Sequence, residues 1–253
     1  MDITHSVVLV AGGASGLGLA VVRRLTELGT TAVVLDTQAI DLDGAAGDRV
    51  HYVPGDICDE QDVTAALNRA EAFGELRASV NCAGIDRVGL TLDRSGPLPL
   101  EQFADVVRVN LVGAFNLMRL AAHRMADLEP VAGERGVIIN TGSIAGFDAP
   151  SGMAAYVASK SGLAGMTLTA ARDLAPTLIR VVTVAPGMFD TPMFGRLPEF
   201  AQRKALSGAQ HPYRLGAPTE FADLVAHVIQ NPMINGETIR IDGAARLGGH
   251  AHS

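Results

Sequence analysis

Tyr156 and Lys160 stand four residues apart, so on a helix they share one face. A phenol with a pKa of about 10 is a poor base at neutral pH unless a neighbouring cation stabilises its phenolate. Lys160 carries that charge, and the hydroxyl of Ser143 can hydrogen-bond the same oxygen. Far upstream, Gly12-Gly13-Ala14-Ser15-Gly16-Leu17-Gly18 has the spacing of a turn that holds a dinucleotide pyrophosphate. Together these groups point to alcohol–carbonyl redox chemistry with a bound nicotinamide.

The elements that must position them alternate. Val7–Ala11 is a short apolar run, followed by the glycines and by Leu17, Ala20, Val21, Leu25 and Leu28 at helical spacing. Further β-branched runs fall at Thr31–Leu35, Val50–Val53, Ala78–Val80, Val137–Asn140, Val181–Val184 and Thr238–Ile241. Helical stretches lie between them, at Glu60–Phe73, Leu100–Met125, Ala154–Leu174 and Thr219–Ile229. Seven short strands with helical crossovers predict an α/β fold: a Rossmann-like, doubly wound, seven-stranded parallel sheet covered on both faces. Gly44 and Gly47 predict a short or broken helix between Asp36 and Arg49. No repeat or linker interrupts the chain, so a single domain over residues 1–253 is expected.

The C-terminal ends of the strands collect Gly12, Asp36, Asp56, Asn81-Cys82-Ala83-Gly84, Ser143 and Pro186-Gly187. Ligands of open parallel sheets bind along that edge. Gly12, Gly16 and Gly18, with Ser15 and Leu17 between them, would carry the pyrophosphate. Asp36 closes the second strand, where a carboxylate can accept both ribose hydroxyls. A 2′-phosphate there would meet a penalty of about 4 kcal/mol at an effective dielectric near 20. No base follows at Thr37-Gln38, so NAD is expected rather than NADP. Asp56-Ile57 could hold the adenine edge, and Asp56 could equally cap a helix. Asn81, Ala83 and Gly84 would lie against the adenosine ribose. Pro186, Gly187 and Thr191 would grip the nicotinamide carboxamide, with Phe189 counted among the contacts.

These residues, in this order and spacing, resemble the short-chain dehydrogenase/reductase family over essentially the whole chain. One departure is Ala11, where the family usually has Thr. Gly-Gly-Ala-Ser-Gly-Leu-Gly-Leu-Ala at 12–20, Val-Asn-Cys-Ala-Gly-Ile at 80–85 and Ala-Arg-Asp-Leu-Ala-Pro at 171–176 resemble its type-2 3-hydroxyacyl-CoA dehydrogenase branch in particular. The resemblance implies that Tyr156, as phenolate, takes the substrate proton while hydride passes to the nicotinamide. It implies that Lys160 lowers the phenol pKa and binds nicotinamide-ribose hydroxyls, and that Ser143 orients the substrate oxygen. Asn110 is implied as a fourth catalytic member that holds a water beside Lys160; bonding to backbone is the plainer reading of its position. The implied reaction is oxidation of a secondary alcohol, foremost a 3-hydroxyacyl-CoA. A hydroxysteroid dehydrogenase, a 3-oxoacyl reductase and a non-enzymatic cofactor-binding scaffold stand as alternatives. A homotetramer built partly through the fourth and fifth helices is implied as well.

From about 188 to 214 the chain reads as a substrate lid, with Met188, Phe189, Met193, Phe194, Leu197, Phe200 and Leu206; an amphipathic core helix reads equally well. Arg196, Arg203, Lys204 and Arg214 in the same stretch could meet CoA phosphates. An insertion at Leu92–Leu100 could form a further wall. The net charge of −7 without a Lys/Arg cluster argues against nucleic acid as a partner. The 48% hydrophobic fraction supports a sizeable core, yet no apolar run reaches membrane-spanning length. No signal peptide is recognisable, since Val7 already begins a strand, and a cytoplasmic protein is expected. Cys58 and Cys82 are expected as free thiols. The seven histidines show no ligand spacing, His250 and His252 standing in a terminal tail, so no metal is expected.

Overall fold

The computed structural model describes residues 2–39, 47–196, 199, 202 and 210–247. The chain order is β1 (Val7–Ala11), α1 (Gly16–Glu27), β2 (Thr31–Asp36), β3 (Val50–Pro54), α2 (Glu60–Glu71) and β4 (Leu76–Asn81). A two-residue-stranded hairpin follows, β5 (Leu92–Asp93) and β6 (Gly96–Pro97), then α3 (Leu100–Val107) and α4 (Ala114–Ala126). The second half runs β7 (Gly136–Thr141), α5 (Ala145–Asp148), α6 (Ala154–Leu174), β8 (Ile179–Pro186), α7 (Pro192–Gly195), α8 (Pro218–Gln230) and β9 (Thr238–Ile241).

Seven strands pair in parallel in the order β3-β2-β1-β4-β7-β8-β9. All five residues of β1 are buried, without alternation, because helices cover both faces of the sheet. On one face Val8, Val10, Val80 and Ile139 pack against Val21, Val22 and Leu25 of α1 and Phe221, Ala222 and Val225 of α8. On the other, Leu9, Leu35, Ile138 and Val181 meet Val63 and Ala66 of α2, Leu117 and Ala121 of α4, and Ala170 and Ala171 of α6.

β4 and β8 start earlier than their apolar runs because the second residue of each is a buried, hydrogen-bonded arginine. Arg77 donates to Glu75 and to the carbonyls of Glu129 and Arg135. Arg180 pairs with Glu134 and donates to the carbonyls of Val228, Ile229 and Ile234. Residues 40–46, where a short helix was expected, lie outside the described residues; Gly47–Arg49 is a 3-10 turn. The stretch expected as one helix over Leu100–Met125 is continuous but not regular, since Arg108–Gly113 is π-helical.

The strand order reverses between β1 and β4, which places the switch point of the sheet there. The turns leaving these two strands touch. A Cβ on Gly12 would stand 2.4 Å from the Ala83 nitrogen, and Gly12 has φ +72°. Only glycine meets both demands.

Candidate active site

The glycine turn is built by exclusion. A Cβ on Gly18 would lie 2.0 Å from the Gly12 carbonyl oxygen, and one on Gly16 would lie 3.6 Å from Thr191 and Pro192. The turn after β1 therefore meets the segment after β8 across the sheet edge. Ser15 begins α1 in an extended conformation without a side-chain cap, and no acid occupies the first turn. The partial positive charge of that helix end is thus left uncompensated by side chains, which fits a bound diphosphate.

Asp36 reaches back to the turn: its Oδ2 accepts the Ala14 N–H at 3.0 Å and its Oδ1 the Gln38 N–H at 3.0 Å. Each oxygen keeps a free lone pair. Asp56 is not the cap of α2. Its Oδ1 accepts the Cys58 N–H, and Asp59 caps the helix by accepting from Gln61 and Asp62. Both aspartates lie between β3 and the helix, and two residues of turn, Ile57 and Cys58, separate them. Ile57 beside it is buried, and its carbonyl accepts from Asn116. Asn81 secures the β4 turn by accepting the Ala83 N–H at 3.1 Å.

Ser143 follows β7, and Tyr156 and Lys160 lie in the first turns of α6. The Ser143 side chain is the neighbour that lowers the pKa of the Tyr156 phenol, and its Oγ accepts the Ala145 N–H at 3.1 Å. Lys160 is buried at 5% exposure, donates to the Thr141 carbonyl at 2.7 Å, and sits 5.7 Å from the Tyr156 ring centre. Gly84 lies over it, where a Cβ would come within 3.2 Å of Asn110 Oδ1 and 3.6 Å of Lys160 Nζ. Asn110 is fully buried. Its Oδ1 accepts the Ile85 N–H, and its Nδ2 donates to the Ile85 carbonyl and to Ser159 Oγ. Ser159 donates in turn to the Tyr156 carbonyl. Asn110 is therefore a strap between the β4 turn and α6, with both amide hydrogens spent.

The electrostatics differ from a simple cation–phenol pair. Burial pushes the Tyr156 pKa up, the Ser143 hydrogen bond pulls it down, and the charge of Asp86 raises it again. Burial lowers Lys160 to about 8, opposed by the nearby Cys82. The lysine thus yields part of its own charge stability to the core, and burial dominates the phenol. Cys82 does have a lysine neighbour in space, though none in sequence. Burial still outweighs Thr141 and Lys160 and lifts its thiol to about 11. Cys58 is raised to about 11 too, by burial and then Asp56, and both cysteines are free thiols.

After β8, Gly187 donates to the Ile241 carbonyl and the Pro186 carbonyl accepts from Ile144. Thr191 caps α7 by accepting the Phe194 N–H. Phe189 is not a lid residue: its ring is 5% exposed and packs edge-on against Phe221 at 6.2 Å. Phe194 is buried likewise, whereas Met193 is 39% exposed. Leu197, Phe200, Arg203, Lys204 and Leu206 lie outside the described residues, as do His250 and His252. Arg214 is already committed, since both its terminal nitrogens bind the Glu220 carboxylate at 2.8 Å. After the β4 turn, Val88, Leu90 and Leu92 are at least half exposed, and Gly89 between them donates to the Gly152 carbonyl at 2.8 Å. Sequence reasoning did not find Thr141, Ser159 or Asp86, whose roles here come from backbone or position and leave no motif. Among the described residues no cluster of three metal-ligating side chains occurs, and no helix is long and apolar enough to cross a membrane.

A dinucleotide turn at the switch point, with Ser143 after β7 and Tyr156 and Lys160 on α6, defines a nicotinamide-dependent oxidoreductase. The short chain dehydrogenase family model matches residues 6–202, and the chain belongs to that family, whose members use NAD or NADP. It is similar to the 3-hydroxyacyl-CoA dehydrogenase type-2 of Bos taurus, 49% identical with 95% of each chain covered. The protein of that name from Drosophila melanogaster is 45% identical over 97% of this chain and 99% of its own. The crystal structure of 3-hydroxyacyl-CoA dehydrogenase type-2 from Mycobacterium avium superposes with a TM-score of 0.91, at 39% identity, covering 96% of both chains.

Proposed function

We propose that this dehydrogenase uses NAD to oxidise the 3-hydroxyl of a 3-hydroxyacyl-CoA to the ketone. The observation that carries the chemistry is the buried lysine fixed on the Thr141 carbonyl, 5.7 Å from the ring of a phenol whose pKa Ser143 lowers. Bound NAD supplies the hydride acceptor. Tyr156 takes the hydroxyl proton, Ser143 holds the substrate oxygen, and Lys160 is the cation nearest the phenol. Gly12, Ser15, Gly16, Leu17 and Gly18 hold the pyrophosphate on α1, and Asp36 uses its remaining lone pairs on the ribose hydroxyls. Asp56, Ile57, Asn81, Ala83 and Gly84 border the adenosine, while Pro186, Gly187, Thr191 and the backbone of Phe189 border the nicotinamide. Asn110 acts by position, and any water beside Lys160 falls to its carbonyl oxygens. The substrate class is supported by the names of relatives at 45–49% identity and by the apolar rim at Val88, Leu90 and Leu92. A homotetramer in the cytoplasm completes this reading.

NADH formation across 3-hydroxyacyl-CoAs, hydroxysteroids and simple secondary alcohols tests it. Acyl-CoA turnover is expected to dominate with NAD and to fall about tenfold or more with NADP. Tyr156→Phe is expected to lower kcat by about 10²–10⁴-fold while NAD affinity holds. Because the phenol is raised and must lose its proton to act, oxidation is expected to climb from neutral into alkaline pH. Turnover in the Tyr156→Phe variant within tenfold of the unmodified enzyme sinks the mechanism. Steroid turnover without acyl-CoA turnover sinks the substrate.

A further inference from the structure

Arg240 is the most heavily bonded charged side chain near the site, and none of its partners belongs to the catalytic set. From β9 its Nε donates to Asp242 at 2.7 Å, and its two terminal nitrogens fork onto Asp148 at 3.0 and 3.2 Å. One of them also donates to the Ala245 carbonyl at 3.0 Å. The guanidinium lies 5.4 Å over the Phe147 ring. Asp148 and Asp242 are each 9% exposed. The Leu247 N–H adds a third bond to Asp148, at 2.8 Å. Burial alone would raise Asp148, but these bonds outweigh it and hold the carboxyl below its usual range. A planar fork on a carboxylate fixes orientation as well as distance.

Each end of this cluster leads directly to a working part. Asp148 ends α5, the single short helix between Ser143 and α6. At the other end of α5, the Ala145 N–H donates to Ser143 Oγ at 3.1 Å and Ile144 donates to the Pro186 carbonyl. α5 also lies hard against α6: the Gly146 carbonyl accepts from Ser161 Oγ at 2.6 Å, and a Cβ on Gly146 would stand 3.0 Å from the Lys160 carbonyl carbon. Asp242 seats the other working part. Gly187 donates to Ile241, and a Cβ on Gly187 would lie 2.8 Å from Asp242 Cβ. One guanidinium therefore spans from the loop that carries the Ser143 hydroxyl to the turn proposed to grip the nicotinamide.

We infer that Arg240 and Asp148 are positioning residues: their forked ion pair holds α5 so that the Ser143 hydroxyl stays on the Tyr156 phenol. Asp242, on the same guanidinium, holds Pro186-Gly187 at the matching setting. Arg180 is the built-in contrast, a buried arginine of the adjacent strand whose bonds end at Glu134 and at the carbonyls closing α8, none of them in the site.

The inference rests on Tyr156 acting as the base, and its test carries a readout independent of turnover. The groups facing the phenol are Ser143 from the β7–α5 turn, Asp86 from the turn after β4, and Lys160 from α6. If α5 loosens, the lowering hydrogen bond from Ser143 is lost while burial and Asp86 remain. Arg240→Lys and Asp148→Asn are therefore compared with Arg180→Lys in the full chain. Melting temperature, kcat, NAD affinity and the ionisation of Tyr156 are measured. That ionisation is read as the phenolate absorbance difference between each protein and its Tyr156→Phe counterpart. Expected for Arg240→Lys and Asp148→Asn is a kcat loss of about tenfold or more, a phenol titrating at higher pH, and NAD affinity within about threefold. Arg180→Lys is expected to lose melting temperature alone. Unmoved phenol ionisation and kcat within about threefold in both site variants overturn the inference, whatever their stability. Should Arg240→Lys fail to fold, Asp148→Asn, which keeps an oxygen acceptor in place, decides the matter alone. Inactivity of the unmodified chain on every acyl-CoA would count against the substrate reading and leave the phenol titration standing.

Discussion

α1 and α2 begin at the same edge of the sheet, one after β1 and the other after β3, and their first turns are finished in opposite ways. α2 has Asp59 accepting two backbone N–H groups, with Glu60 and Asp62 behind it. α1 starts at Ser15 with no side-chain cap and no acid. A helix N-terminus without such partners forgoes about 1 kcal/mol from the cap and about 0.3–1 kcal/mol from the dipole. α1 gives this up beside a turn in which neither Gly12 nor Gly18 leaves room for a side chain. In the proposed function, the cofactor diphosphate completes this helix end in place of a residue.

The comparison can be broken first at Gly18. Its absent Cβ leaves 2.0 Å to the Gly12 oxygen, so Gly18→Ala must push the turn apart. About 1–3 kcal/mol of stability and about a hundredfold in NAD affinity are expected to go, as read by melting and by titration calorimetry. An unchanged dissociation constant would mean that the turn does not hold the cofactor.

Ser15→Asp sharpens the contrast by giving α1 what α2 has. Stability is expected to rise by about 0.3–1 kcal/mol, because the carboxylate meets the helix dipole. NAD binding is expected to weaken about tenfold, because the same carboxylate meets the diphosphate. A gain in both would remove the anion from this site. The smallest effect belongs to Asp59→Ala, expected to cost about 1 kcal/mol, or about 2–4 °C in Tm, with NAD affinity untouched. A matching loss of NAD affinity would show that the two helix ends are not separate in function.

The sheet could be read from the sequence because its strands are buried on both sides and appear as unbroken apolar runs. The starts of β4 and β8 could not, since Arg77 and Arg180 interrupt those runs and are matched by partners distant in sequence. Asp36 was legible from its distance to the glycines. Asp56 was not separable from Asp59, because either aspartate suits a turn before a helix. Phe189 and Phe194 read equally as lid or core, and only their burial in the fold, for Phe189 against Phe221, decides between the two. The commitment of Arg214 to Glu220 escaped notice because six residues is not a helical spacing. The direction of the Tyr156 shift depends on how closely α5 and the β4 turn enclose the ring, which composition does not record.

The π-helical segment at Arg108–Gly113 has a consequence for how the chain can change length. Val106, Asn110, Ala114 and Met118 are all buried, at intervals of four residues. In a regular α-helix each such step overshoots a full turn by about 40°, so three steps swing the last side chain about 120° from the first. The wider π turn takes up part of that drift and lets Asn110 face Ile85 while Met118 still enters the core. Deleting one residue there would leave eleven steps of about 100° between Val106 and Met118, within about 20° of three full turns, so ordinary helix would keep both faces aligned. The wide turn thus accommodates one residue more than the helix needs, and that residue carries Asn110 to Ile85 without turning Met118 out of the core.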